Sequence, residues 1–242
     1  MVQKGADIST RTIQRRLREA GGNFTNPLLK PLLTDAHQKQ RLKWAKKHRK
    51  FDWSRVIFTD ESTFYLNKPA GKTWNFPERK KVFRTVKHPA KMHVWGCFSL
   101  SGFGEIICFQ KNLDAKFMCT IYQKGLLPSA QSLFGDENPD WILQEDNDPK
   151  HRSKLAKEWK ANNGIRELPW PSMSPDQNPI ENVWRLMKIN INRKKITTVN
   201  GLRTALINEW RELPISLAEN LVKSMRNRVT SLIDANGDFA LY

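Results

Sequence analysis

The sequence predicts an α/β fold, a sheet with helices on both faces preceded by a short basic helical segment. Three observations predict it. From Asp52 to about residue 110 the chain alternates apolar and polar positions and is rich in β-branched and aromatic residues, the pattern of paired strands. Beyond that point strand-like and helical stretches take turns and the last third is mostly helical, an order that suits a helix-covered sheet. Charge is also uneven: residues 1–50 hold 13 Lys and Arg against three acids, so +10 of the formal +17 lies there.

At 242 residues, 39% hydrophobic and with nine Trp, the chain can bury a sizeable core. It contains no run of about 18 apolar residues, and its start, "MVQKGADIST", lacks the apolar segment of a secretory signal, which predicts a soluble intracellular protein. Cys97, Cys108 and Cys119 are odd in number and far apart, so reduced thiols are expected. The histidines at 37, 48, 88, 93 and 151 form no HExxH-type cluster, which speaks against a zinc enzyme. The net charge points to a polyanionic partner.

The elements follow in order. "ISTRTIQRRLREAGG" predicts a short helix with Ser9 as N-cap, Ile13, Leu17 and Ala20 at helical spacing, and Gly21 as the stop. Its arginines, Arg11, Arg15, Arg16 and Arg18, suit a solvated helix in a basic protein or the DNA-facing recognition helix of a helix-turn-helix unit. Residues 23–34, with two prolines, read as a linker, and Asp35–Phe51 as a second basic helix carrying Leu42, Trp44 and Ala45. "RVIFTDESTFYL" reads as a strand ending in an acidic pair, and "MHVWGCFSLSGFGEIICFQ" as two strands around a turn. A helix over 114–134, a polar loop at 135–140, a short strand in "DWILQED" and a helix from about Arg152 to Gly164 come next. "IRELPWP" predicts one more strand, and "PSMSPDQNP" a Pro-rich loop before the helix "IENVWRLMKINI".

Three acids stand where a basic protein would not place them without compensation. Asp60 follows "RVIF", Asp146 follows "WILQ", and Glu181 opens a helix. Carboxylates buried at strand ends are costly unless a cation neutralises them. A pair of Mg²⁺ or Mn²⁺ ions would do so, since hard cations prefer oxygen ligands and a two-metal site clamps both oxygens of a phosphodiester displacement. Strand alternation puts Glu145 and Asp146 on opposite faces without saying which belongs to such a site.

"FTDEST", "VWGCFS", "LQEDNDPKH" and "WPSMSPDQNPIENVW" resemble the sequence blocks of Tc1/mariner-family transposases, most closely the Tc1-like branch, and the resemblance runs from about Ile8 nearly to the C-terminus. It implies an RNase H-like mixed sheet flanked by helices, acting on double-stranded DNA through two aspartates and a glutamate that bind two Mg²⁺ (or Mn²⁺) ions. Matched block by block, that triad falls on Asp60, Asp146 and Glu181, with 34 residues between the last two, the spacing of the Tc1-like branch. The implied activity is DNA strand cleavage and strand transfer by a homodimer on DNA, in the nucleus.

Three parts are then expected: residues 1–22 as the remnant of a helix-turn-helix domain, 23–51 as a basic linker and helix, and 52–242 as the catalytic domain. The family carries two helix-turn-helix subdomains, whereas this chain begins inside what resembles the end of the second, which predicts weak recognition of specific ends. Asn147 and His151 are read as supporting the site, Asp148 as a turn or helix cap, Glu61 as facing away or ion-paired, Asp176 as a turn residue, Asn178 as fixing the loop before Glu181, and Trp95, Trp170 and Trp184 as core. The rival reading is a transposon-derived DNA-binding protein without catalysis. A third, a nuclease for RNA–DNA hybrids, fits the acids but not the sequence blocks.

Overall fold

The computed structural model describes residues 9–22, 32–66, 87, 89–135 and 140–239, and the chain divides into two compact units, Met1–Leu32 and Leu33–Tyr242. In the first, helix α1 (Thr10–Glu19) forms where its capping residues dictate. Ser9 Oγ accepts from the Thr12 amide, and at the far end Gly21 adopts φ +83°, so that the Gly21 and Gly22 amides reach the Arg18 and Leu17 carbonyls at 2.9 and 2.7 Å. That closure needs a left-handed residue after the helix, and glycine takes it without a Cβ clash. No residue of α1 is buried, and Glu19 pairs with both Arg15 and Arg16.

The second unit is built on a four-stranded sheet of order β3-β2-β1-β4, with β1 Val56–Tyr65, β2 Lys91–Ser99, β3 Gly102–Phe109 and β4 Ile142–Gln144. The first three strands form an antiparallel meander whose β2–β3 turn is Leu100–Ser101, as the sequence predicts. Strand β4 runs parallel to β1, pairing Val56 with Ile142 and Phe58 with Gln144. The sheet is therefore mixed.

Alternation along the strands sends side chains into two cores. Val56, Phe58, Met92, Val94 and Phe98 join one, while Ile57, Trp95, Cys97, Phe109 and Leu143 join the other. The first core is closed by α2 (Asp35–His48), α7 (Ile180–Arg193), α8 (Val199–Arg211), α9 (Ile215–Lys223) and α10 (Met225–Asp234). The second is closed by α3 (Ala115–Ile121), a π turn at Tyr122–Leu126, α4 (Leu127–Phe134) and, after the four-residue α5 (Pro149–Arg152), by α6 (Lys154–Asn162). All three cysteines are free thiols. Among the described residues no helix is long and apolar enough to cross a membrane.

Two expectations change. "IRELPWP" contributes one isolated parallel bridge, Leu143 with Glu167, in place of a strand, because Pro169 and Pro171 have no amide hydrogen to continue a ladder. The basic helix expected within a linker is α2, and it belongs to the second unit: Arg41, Trp44, Ala45 and His48, at helical spacing, are buried, and α2 packs on α10. Residues 23–31 of that linker lie outside the described residues, as do 136–139 of the polar loop.

Candidate active site

Asp60 sits in the middle of β1, directly opposite Gly96 of β2. A Cβ on Gly96 would lie 2.8 Å from the Trp210 ring and 2.9 Å from the Trp184 ring, so only glycine lets these two indoles stack against the sheet, 5.4 Å apart at 28°. Stacked there, Trp184 donates its indole N–H to Asp60 Oδ2 at 3.1 Å. Because β4 runs alongside β1 and Thr59 Oγ1 donates to the Gln144 carbonyl at 2.8 Å, the chain leaving β4 delivers Glu145 and Asp146 beside Asp60. Asp146 is exposed, and its Oδ1 accepts from the Asp148 amide at 2.9 Å, a local turn that fixes the carboxylate. Glu181 is the second residue of α7. The loop before it is fastened to β1 by Asn178, whose Nδ2 donates to the Thr59 carbonyl at 3.2 Å and whose own carbonyl accepts from the Glu181 amide at 3.3 Å.

The three acids stand within one another's electric fields. Burial pushes the Asp60 carboxyl well above the usual carboxylate range, and the charges of Glu61, Glu181 and Asp146 push it further. Glu181 is raised by burial and by Asp146, against the pull of Lys188. Among the described residues no three His, Cys, Asp or Glu side chains already stand as a finished metal-holding group. The donors here are all oxygens, and the repulsion at Asp60 is of the kind a bound cation relieves, so the residues fit a hard divalent cation better than a soft one.

Immediately behind, the neighbouring acids are treated in the opposite way. Glu145 is buried and pairs with the buried Lys160, while Tyr122 donates its hydroxyl to Glu145 Oε2 at 2.6 Å. Lys160 also pairs with Glu167. Glu61 lies 3.2 Å from Lys150 Nζ, which also holds Asp148 at 2.8 Å. Burial would raise Glu61, but His151 and Lys150 outweigh it and bring its carboxyl below the usual range. His151 is buried at the seam, its Nδ1 3.3 Å from Glu145 and its Nε2 3.5 Å from Asp146 and 3.6 Å from Glu61. Burial alone would lower its pKa; Glu61 and Glu145 reverse that and raise it.

The structure thus brings together Asp60, Asp146 and Glu181, with His151 touching Asp146 and Glu145 turned into the interior. Asn147, expected to support the site, bonds elsewhere, donating to the Trp170 carbonyl at 2.8 Å and accepting from Arg152 at 2.9 Å. Asp148 caps α5 through the Lys150 amide, and Glu61 is ion-paired. Trp95, Trp170 and Trp184 are core, but Trp184 also touches Asp60, a role the sequence reading did not give it; its place three residues after Glu181 on one helix face is the signal. Asp176 does more than turn the chain: it receives a two-pronged salt bridge from the buried Arg41. Lys160 was also missed, though it follows the buried Ala156 at i+4 on α6.

Comparison with known proteins agrees with this geometry. A family model described as DDE superfamily endonuclease matches residues 55–203, and a second, a Tc3-type helix-turn-helix model described as transposase, matches residues 1–50. The chain is 32% identical over 239 residues to the transposable element Tc1 transposase of Caenorhabditis elegans, covering 95% of this chain and 86% of that one. It is 31% identical over 238 residues to the Tc3 transposase of the same organism, covering 95% of this chain and 71% of that one. Among solved structures, the Mos1 mariner paired end complex with Mn superposes with a TM-score of 0.84 at 16% identity, over 97% of this chain and 72% of that one. The Mos1 catalytic domain superposes at 0.68 with 13% identity over 89% of this chain, which places the sheet and its helices in the RNase H-like fold.

Proposed function

This chain belongs to the Tc1-like DDE transposases, and we propose that it cleaves and joins DNA strands through Asp60, Asp146 and Glu181 acting with two Mg²⁺ or Mn²⁺ ions. As a member of that family it is a metal-dependent DNA transposase; the residues, the ion count and the choice of ion are our reading. The observation that carries it is the cluster itself. In a chain of net charge +17, three carboxylates from β1, the end of β4 and the start of α7 converge, and the most enclosed, Asp60, is held well above its ordinary pKa by burial and its acidic neighbours. Such a cluster is what a divalent ion neutralises.

Asp60, Asp146 and Glu181 would hold the ions, which supply charge neutralisation of the phosphodiester and activation of the attacking oxygen. The chain's own residues then do the positioning. Trp184 fixes one oxygen of Asp60, the Asp148 amide fixes one of Asp146, and Asn178 ties the Glu181 loop to β1. The exposed arginines of α1, Arg11, Arg15, Arg16 and Arg18, suit phosphate contacts that orient DNA without reading bases. The same reading has the protein working as a homodimer on double-stranded DNA in the nucleus.

The test is nicking of duplex DNA by the purified chain with Mn²⁺ or Mg²⁺, set beside Asp146→Asn. Cleavage by the wild type and a loss of at least about 10³-fold in the variant is expected for removal of a metal-holding carboxylate. Equal DNA binding with no cutting by either protein under any divalent ion would replace this reading with that of a DNA-binding module.

A further inference from the structure

We propose that Arg41 is a positioning residue for Glu181: it sets the loop that aims this carboxylate, and so governs how tightly the site takes its divalent ion. The inference rests on the transposase reading above.

Glu181 needs an external support because its own helix does not provide one. The N-cap of α7 is Pro179, which has no polar side chain to cap the helix, and the first two amides are met instead by Asn178 of the preceding loop: its Oδ1 accepts from the Ile180 amide at 3.4 Å and its carbonyl from the Glu181 amide at 3.3 Å. The direction of the first turn must therefore come from the loop before it, Pro171–Asn178. That loop holds one of two non-glycine residues with positive φ among the described residues, Met173 at +53°. A bulky residue in this region is strained by about 1–3 kcal/mol and persists only where surrounding bonds impose it. Met173 is 41% exposed, so its own packing is not what imposes it.

Arg41 does. It is fully buried in α2, and its donors are aimed at loops rather than at the sheet. Nη1 donates to the Met173 carbonyl at 2.8 Å, to Ser174 Oγ at 2.7 Å and to Asp176 Oδ1 at 2.7 Å. Nη2 donates to Asp176 Oδ2 at 2.6 Å, making the pair bidentate. Nε donates to the Gly237 carbonyl at 2.9 Å, and the Phe239 ring lies over the guanidinium at 4.7 Å. The hold extends to the residue next to Glu181: Arg228 donates to the Asp176 carbonyl at 2.8 Å and to Asn182 Oδ1 at 2.7 Å. Nη1 has two hydrogens for its three acceptors, so one is shared, and the planar five-donor fork still spans positions that a lysine ammonium, with three donors at one point, cannot.

The experiment uses the full chain as wild type, Arg41→Lys, Asp176→Asn and the double variant Arg41→Lys with Met173→Gly. Three quantities are read: Mn²⁺ affinity from the electron spin resonance signal of the unbound ion, DNA affinity, and the nicking rate at saturating DNA. Arg41→Lys is expected to weaken Mn²⁺ binding about tenfold and to slow nicking up to about 10²-fold, the scale of an ångström of misplacement, with DNA affinity unchanged. Met173→Gly should recover part of that loss, because glycine holds a positive φ without strain. If Arg41→Lys does not melt cooperatively, Asp176→Asn carries the same expectation. Wild-type Mn²⁺ affinity and nicking in the cooperatively folded variant overturn the proposal, as does a loss of DNA affinity equal to the loss of Mn²⁺ affinity. Should the wild type bind Mn²⁺ yet never nick DNA, the transposase reading fails while the Mn²⁺ arm still decides the role of Arg41.

Discussion

Strand β1 and the chain just after β4 each supply a pair of adjacent acids, Asp60–Glu61 and Glu145–Asp146, and the protein treats the members of each pair in opposite ways. Asp60 and Asp146 meet Glu181 in a group whose charges repel. Glu61 and Glu145 turn into a closed network with Lys150, His151, Lys160 and Tyr122, where each finds a cation. The open group is left for something outside the protein to neutralise; the closed one is neutralised from within. Adjacency in sequence therefore says little about electrostatic fate, and the cations brought by α5 and α6 decide it.

The largest effect expected from breaking this contrast is at Lys160. Lys160→Met leaves Glu145 and Glu167 without their shared cation and should cost about 3–5 kcal/mol in urea unfolding. A loss below about 1 kcal/mol would mean that the closed network is not closed by this residue.

Asp60→Asn should act with the opposite sign, stabilising the metal-free protein by about 0.5–2 kcal/mol while abolishing Mn²⁺-dependent nicking. The pH dependence follows from the direction of its shift. A carboxyl whose pKa is higher in the folded than in the unfolded chain keeps more protons when folded, so this group's contribution to stability falls as pH rises from the unfolded value through the raised one. Thermal melts across pH without metal should show that decline, and Asp60→Asn should flatten it. A wild-type slope that survives in the variant would assign the titration elsewhere.

Smaller again is Asp148→Ala, which removes the α5 cap and should cost about 1 kcal/mol with Mn²⁺ affinity reduced only slightly. Trp184→Phe keeps the stack on Gly96 but loses the N–H to Asp60, a change of about 0.5–1.5 kcal/mol. Its fingerprint is a steeper decline of stability with pH, since the ionised form of Asp60 loses a donor. An unchanged slope would show that the indole N–H does not hold Asp60.

Much of this was legible in the sequence because it is local. Ser9 and Gly21 bound α1, alternation marks β1 to β3, and Asp148 before Pro149 announces a cap. The site acids were found by resemblance; Asp146 does lie just beyond β4, but Asp60, expected at a strand end, stands in the middle of β1, which runs on to Tyr65. What escaped is what tertiary placement creates. Lys160 sits among charged neighbours on α6 and reads as solvated; only the packing of α6 on the second core buries it. Arg41 opens the spacing completed by Trp44, Ala45 and His48, so its inward face was visible, but its acceptors lie more than 130 residues away. The strand expected in "IRELPWP" shrinks to one bridge because Pro169 and Pro171 have no amide hydrogens to extend a ladder.

The bond from Arg41 Nε to the Gly237 carbonyl joins residues 196 positions apart. During synthesis the three carboxylates leave the ribosome, and β1 can find β4, well before that acceptor exists. A nascent chain thus carries its acids on an unfinished loop, and the hold on that loop is completed only once the segment around Gly237 has been added.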